Sequence, residues 1–272
     1  MDVDAVAERL VDHLRAVGPV AVAFSGGVDS ALVLAAAARA TGPDAVLAVT
    51  ADSASLAAAE LAHAVAFAEG LGVRHVAPAT AELDDPAYAA NGRDRCYFCK
   101  STVLDAITAV AREHGLRAVA TGVNADDAVD PFRPGIRAGD EIGVRTPLRD
   151  LGLAKAEVRA VSRLWGLSTW DKPAMPCLAS RVRYGIAITP ARLARVERAE
   201  VAVRTWLADA GTPVRDLRVR DLGDTGRIEL DPHLARRPDI APALTGIVRA
   251  AGFDHAEITV FRSGALNHEP TP

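Results

Sequence analysis

The sequence predicts an α/β fold, a parallel sheet covered by helices on both faces, followed by a smaller C-terminal α+β unit. Three observations predict it. Short apolar runs alternate with alanine-rich helical stretches, turn residues stand at each switch, and the texture of the chain changes after Trp170. Strand–helix alternation calls for parallel strands, because each crossover helix returns the chain to the same edge, with right-handed connections.

The elements follow in order. Residues 4–17 place Val6, Leu10, Val11, Leu14 and Val17 at helical spacing and stop at Gly18-Pro19, so the chain opens with a helix. The runs VAVAF (20–24), AVLAV (45–49), VRHVA (73–77) and RAVAT (117–121) are short and apolar and read as buried strands. Helical stretches at 30–40, 54–70 and 100–114 lie between them, and a further helix, 154–165, follows PLRDLG. Residues 171–185, DKPAMPCLASRVRYG, hold two prolines and no clear period. Beyond them come a helix (190–210), two β-like runs around a Gly-Asp-Thr-Gly turn in LRVRDLGDTGRIEL, a helix (240–251) and a last strand (256–261). The hairpin signal and the αββαβ order mark a second domain. The boundary falls near 180–188, giving domains over 1–183 and 184–272.

Composition narrows the function classes. A chain of 272 residues, 50% hydrophobic and 24% charged, buries a real core and is ordinary for a soluble globular protein. A net charge of −4 and only 4% aromatic residues argue against nucleic acid as a partner, which needs a basic field or stacking platforms. No apolar run nears the roughly 18 residues of a membrane span. The acidic start MDVDAVAERL is unlike a signal peptide, so a cytoplasmic location and no membrane partner are expected. Three cysteines, Cys96, Cys99 and Cys177, are too few and too oddly numbered for a disulfide framework.

The hexapeptide SGGVDS, Ser25–Ser30, sits where the first strand hands over to a helix. A helix N-terminus carries unpaired N–H groups and partial positive charge, and so favours phosphate. Gly26 and Gly27 permit a tight turn and close approach of the backbone. Ser25 and Ser30 add hydroxyl donors, and Asp29 suits a phosphate site only if a divalent cation intervenes, which points to Mg²⁺. The Walker pattern G-x-x-x-x-G-K-[ST] and the dinucleotide pattern G-x-G-x-x-G are both absent here. A merely capped helix start is the plainer alternative. TGVNADD, Thr121–Asp127, ends the fourth strand, and paired acids at a strand's C-terminal end suit a hard cation.

FSGGVDSALV resembles the PP-loop of the N-type ATP pyrophosphatases, and TGVNADD resembles their second nucleotide and Mg²⁺ segment. The resemblance implies the adenine nucleotide alpha hydrolase-like, Rossmann-like fold. It also implies ATP chemistry that adenylates a substrate oxygen and releases pyrophosphate. Phe24, Ser25, Gly26, Gly27, Val28, Asp29, Ser30, Ser53, Gly122, Asn124 and Asp127 are the implied nucleotide-binding residues. The segments AVTADSASL with Glu60, DRCYFCK, NADDAVDPFRPGIRAGDEIGVRTPL and WDKPAMPCLASR are, together, similar to the LarE family. These are ATP-dependent sulfur transferases that build the nickel-pincer nucleotide of lactate racemase. The similarity runs over nearly the whole chain, from about residue 3 to residue 262.

That family implies a small-molecule substrate, a pyridinium dicarboxylate mononucleotide whose adenylated carboxylate is converted to a thiocarboxylate. It implies a homo-oligomer, a trimer or hexamer. It offers two sulfur sources: Cys177 itself, left as dehydroalanine, or a [4Fe-4S] cluster on Cys96, Cys99 and Cys177 carrying an extra sulfide. Cys96 and Cys99 form C-x-x-C with no fourth cysteine, which favours the cluster, since three ligands leave one iron open. A redox pair, half a zinc site completed by His75 or His114, and three buried structural cysteines are the other readings.

Asp29, Cys177, Ser180, Arg181 and Glu200 are the expected catalytic residues, and Arg218 and Arg220 the expected substrate-phosphate residues. Arginine's fork suits phosphate, and Lys172 and Arg133 have similar, less specific claims. Glu197, Glu200 and Glu229 fall where the family carries acids, although helical glutamates are often a solvated face. Trp165 and Trp170 read as core. The rival functions are tRNA thiolation or amidation by the same ATP chemistry, and a non-catalytic ATP-binding regulator.

Overall fold

A computed structural model describes residues 2–128 and 134–267. The chain forms two compact units, one from Met1–Glu82 with Cys96–Met175, the other from Leu83–Arg95 with Pro176–Pro272.

The first unit runs α1 (Val3–Val17), β1 (Val20–Ala23), α2 (Val28–Thr41), β2 (Val46–Val49), α3 (Ala58–Gly70) and β3 (Arg74–Val76). The segment 83–95, which belongs to the second unit, contains the short helix α4 (Pro86–Ala89). The first unit resumes with α5 (Arg95–Glu113), β4 (Ala118–Ala120), the short helices α6 (Ala125–Ala128), α7 (Gly135–Ile142) and α8 (Pro147–Asp150), and α9 (Lys155–Leu164). Its sheet has the order β3-β2-β1-β4 with every pair parallel, so all four C-terminal ends lie along one edge.

Side-chain alternation divides the core between the two faces of that sheet. Val20, Val22, Val46 and Ala48 pack with α1, α2 and α9, while Ala21, Ala23, Leu47 and Val49 pack with Leu104, Ile107 and Ala111 of α5. Both faces are covered, as the sequence predicts. Helix α2 buries Val28 and every residue from Ser30 to Ala37. Its run of alanines lets the helix lie close against the strands without leaving voids. Leu10 and Leu14 of α1 are fully buried in the same layer, each contributing about 1.5–3 kcal/mol of hydrophobic stabilisation.

The second unit continues with α10 (Pro190–Asp209), β5 (Leu217–Asp221), β6 (Thr225–Leu230), α11 (Pro232–Ala235), α12 (Ala241–Ala250) and β7 (His255–Val260). The sheet order is β5-β6-β7, with β5 and β6 antiparallel and β6 and β7 parallel. Two details differ from the expectations. Helix α5 begins at Arg95 rather than at residue 100, taking in both cysteines of the C-x-x-C segment. The hairpin turn is Leu222–Asp224, and Thr225 and Gly226 already belong to β6. Gly226 is required for packing rather than for the turn: a Cβ there would stand 2.5 Å from Val248 Cγ1 and 2.9 Å from Phe253 Cγ.

Among the described residues no helix is long and apolar enough to cross a membrane. Trp165 is half-buried against the core of the first unit, but Trp170 is 38% exposed, with Arg163 over its ring, and is not a core residue.

Candidate functional site

In the first unit the polar groups gather at the C-terminal edge of the parallel sheet. The loop Ser25–Ser30 leaves β1 with Gly26 at φ 69° and makes Gly27 the N-cap of α2, without a side-chain cap. The first N–H groups of α2 are therefore available to an anion. Ser30 organises the loop internally. Its hydroxyl donates to Gly27 O (3.2 Å), accepts from Ser25 N (3.2 Å) and lies 3.1 Å from Ser25 Oγ. Phe24, just before the loop, and Val28, within it, are buried anchors.

The second motif presses directly on this loop. A Cβ at Gly122 would lie 2.6 Å from Ser30 N and 2.9 Å from Asp29 C, so only glycine allows the end of β4 to approach the start of α2 so closely. Asn124 follows at once and donates from Nδ2 to Asp29 Oδ1 at 3.0 Å. Asp127 accepts from Asn124 N at 3.3 Å while its own N–H donates to Asn124 Oδ1 at 3.0 Å, a reciprocal pair that fixes the turn into α6. Asp29, Gly122, Asn124 and Asp127 thus form one connected group. Ser53, after β2, instead accepts from Ser55 N at 3.0 Å within its own turn.

Two lysines complete the edge. Lys155, at the first position of α9, forms an ion pair and hydrogen bond with Asp29 Oδ2. Lys172 donates to Gly26 O (3.1 Å) and to Glu60 Oε2 (2.7 Å), and Arg159 holds the backbone carbonyls of Trp170 and Lys172. Sequence reasoning named Lys172 only as a weak phosphate candidate and missed Lys155 altogether. Arg133 lies outside the described residues.

Cys96 and Cys99 sit on the first turns of α5, Cys96 exposed and Cys99 partly buried, and Cys177 in the second unit is exposed. The reading as three buried structural cysteines therefore fails. Cys99 Sγ lies 4.0 Å from Glu82 Oε1, and Lys100 follows it in the chain. Burial pushes Lys100 below the usual lysine range, and the neighbouring Cys99 pulls in the opposite direction. Among the described residues no group of three His, Cys, Asp or Glu side chains is assembled to hold a metal ion.

In the second unit a buried polar layer surrounds the PCLASR segment. Arg181 is fully buried, donates to Glu200 Oε1 and Oε2 (2.9 and 3.2 Å) and grips the carbonyls of Pro176 and Cys177. Ser180 Oγ donates to the same Cys177 carbonyl at 2.7 Å. Arg220 pairs with Glu229 at 2.8 and 3.0 Å and donates to Ser180 O at 3.1 Å. Glu200 also accepts from Val219 N at 3.0 Å and is buried, so it is not part of a solvated face. Glu197 is only partly buried. Arg218 lies over the Phe261 ring, and its pKa is lowered to about 10 by burial, with Arg181 and Arg220 adding to the shift and Glu200 opposing it. Asp221, fully buried and held by Arg192 and Arg195 at 2.7–2.9 Å, went unnoticed in the sequence. Nothing in DLGDTG distinguishes it from a turn residue.

Comparison with known proteins fits this geometry. The asparagine synthase family matches residues 3–90, which contain the phosphate loop. A protein of Lactiplantibacillus plantarum, pyridinium-3,5-bisthiocarboxylic acid mononucleotide synthase, is 34% identical over 263 residues, 95% of this chain and 92% of that protein. An uncharacterised protein of Synechocystis sp. is 46% identical over 211 residues, 78% of this chain and 76% of its own length. The argininosuccinate synthase of Haloarcula marismortui is 32% identical over 147 residues, 51% of this chain and 35% of that enzyme.

Proposed function

Because the chain belongs to the LarE family of ATP-using sulfur transferases, we propose that it converts a carboxylate of a pyridinium dicarboxylate mononucleotide into a thiocarboxylate. The carboxylate oxygen attacks the α-phosphorus of ATP and pyrophosphate leaves. Sulfur then attacks the acyl carbon, and AMP departs with the carboxylate oxygen. The observation that carries this reading is the junction of loop and second motif, where Gly122 packs against Ser30 and Asn124 holds Asp29.

In this reading the N–H groups at the start of α2, with the hydroxyls of Ser25 and Ser30, receive the pyrophosphate end of ATP. The lack of a Walker lysine accords with AMP-forming rather than γ-phosphoryl chemistry. Asp29 and Asp127 are the carboxylates that would hold Mg²⁺, which would supply charge neutralisation for the phosphates of ATP. Lys155 forms an ion pair with Asp29, so its ammonium stands beside the loop that would receive the phosphates. Arg218 and Arg220 would bind the substrate's phosphate.

The sulfur source in this proposal is a [4Fe-4S] cluster on Cys96, Cys99 and Cys177. Its support is the donor set: accessible thiols, two of them three residues apart at a helix start, where thiolates are favoured, and no fourth cysteine. Held by these three thiolates, such a cluster would supply the sulfide that replaces AMP. Arg181 and Ser180 hold the backbone at Cys177 and so fix where its thiol is presented. Anaerobic purification with iron and sulfide analysis tests this. Four irons per chain support it, whereas no iron after reconstitution and Cys177 lighter by the mass of H₂S after turnover would make Cys177 the sulfur donor. The same reading expects a homo-oligomer in the cytoplasm.

A further inference from the structure

Three residues on adjacent strands form a hydrogen-bonded rung directly beneath the phosphate loop. Phe24 follows β1, Thr50 follows β2, and His75 lies in β3. Thr50 Oγ1 donates to Phe24 O at 2.6 Å and lies 2.8 Å from His75 Nε2. Backbone bonds run parallel to the rung, from Phe24 N to Val49 O (2.8 Å) and from Thr50 N to Val76 O (3.0 Å). Phe24 and Thr50 are 2% and 3% exposed, and His75 is partly buried, so the bond from Thr50 to the Phe24 carbonyl is shielded from water.

Proton counting decides the direction of the rung. A carbonyl only accepts, so the single hydroxyl proton of Thr50 is committed to Phe24 O. Thr50 Oγ1 must then accept from His75, which requires the proton on Nε2. The imidazole is fixed further by an edge contact with the Phe24 ring, centroids 6.5 Å apart at 79°. The carbonyl thus held belongs to the residue immediately before Ser25, so the rung sets the direction in which the chain enters the loop.

We propose that His75, acting through Thr50, is a positioning residue for the phosphate loop, holding the Phe24 carbonyl so that the loop is pre-arranged for the polyphosphate of ATP. The proposal rests on the reading of Ser25–Ser30 as the ATP phosphate site. It gives His75 a role that neither a zinc site nor core packing requires.

The test uses the full chain, its His75→Phe, His75→Gln, Thr50→Val and Thr50→Ser variants, Mg·ATP titration calorimetry and nitrogen-15 NMR of the imidazoles. The His75 signal, assigned by its loss in the glutamine variant, is expected to be that of a neutral ring protonated on Nε2. H75F and T50V are expected to bind Mg·ATP about five- to tenfold more weakly, the effect of one buried hydrogen bond. H75Q, which keeps a donor, and T50S, which keeps the hydroxyl, are expected to stay within about twofold of wild type. The threonine pair carries the comparison should H75F fail to fold. An Nδ1-protonated ring, wild-type affinity in T50V, or T50S as weak as T50V overturns the proposal. A wild-type chain that binds no Mg·ATP overturns the reading of the loop itself, and the tautomer signal then still tells the two failures apart.

Discussion

Glu200 and Arg181 carry opposite charges and lie largely buried, with side chains 11% and 2% exposed. Removing one of them leaves the other charged and buried, so Glu200→Ala is expected to cost about 3–5 kcal/mol in urea unfolding. The exposed pair Arg227–Glu257 provides the contrast: Glu257→Ala is expected to change stability by less than about 1 kcal/mol. A similar loss in both variants would mean that burial does not govern these pairs. His75 makes a pH-dependent contribution. Burial pushes its pKa below the ordinary 6.5, with Glu69 pulling upward, so the unfolded chain takes up the proton first. The contribution is complete above about pH 6.5 and is lost progressively as pH falls towards the folded-state value. Unfolding midpoints measured from pH 8 down to 5 are expected to fall more steeply for wild type than for His75→Gln.

The junction between β4 and α2 is the element contact on which the site depends most. Gly122→Ala puts a methyl where Ser30 N already stands, and is expected to cost about 1–3 kcal/mol together with at least tenfold in Mg·ATP affinity, read by calorimetry. Unchanged affinity would show that the two motifs do not share a ligand. The strands were legible because β1 and β2 are buried at every position, which makes them continuous apolar runs rather than alternating ones. The start of α5 was not, because RCYFCK has charges and cysteines where an apolar stripe would show. Gly226 read as a turn residue because the sequence does not reveal that Val248 and Phe253 press on its strand. The same difference between local and distant signals separates the site residues. A glycine- and hydroxyl-rich anion cradle is a local pattern, whereas Lys155 meets Asp29 across 126 positions and His75 meets Thr50 only because β2 and β3 are neighbours.

The residues on which the proposed reaction draws come from both units. The first holds the Ser25–Ser30 loop and the C-x-x-C thiols, and the second holds Cys177 on a backbone fixed by Arg181 and Ser180. The proposed reaction has two steps, activation followed by sulfur transfer. The first step leaves products that no ATP-binding regulator would form. The most direct measurement is therefore pyrophosphate and AMP release by the anaerobically purified chain, with Mg·ATP and with or without the pyridinium dicarboxylate mononucleotide. Release of both products only when the mononucleotide is present, with a thiocarboxylate formed for each AMP, is the expected result. ADP and phosphate in their place, or AMP formation indifferent to the mononucleotide, would contradict the account.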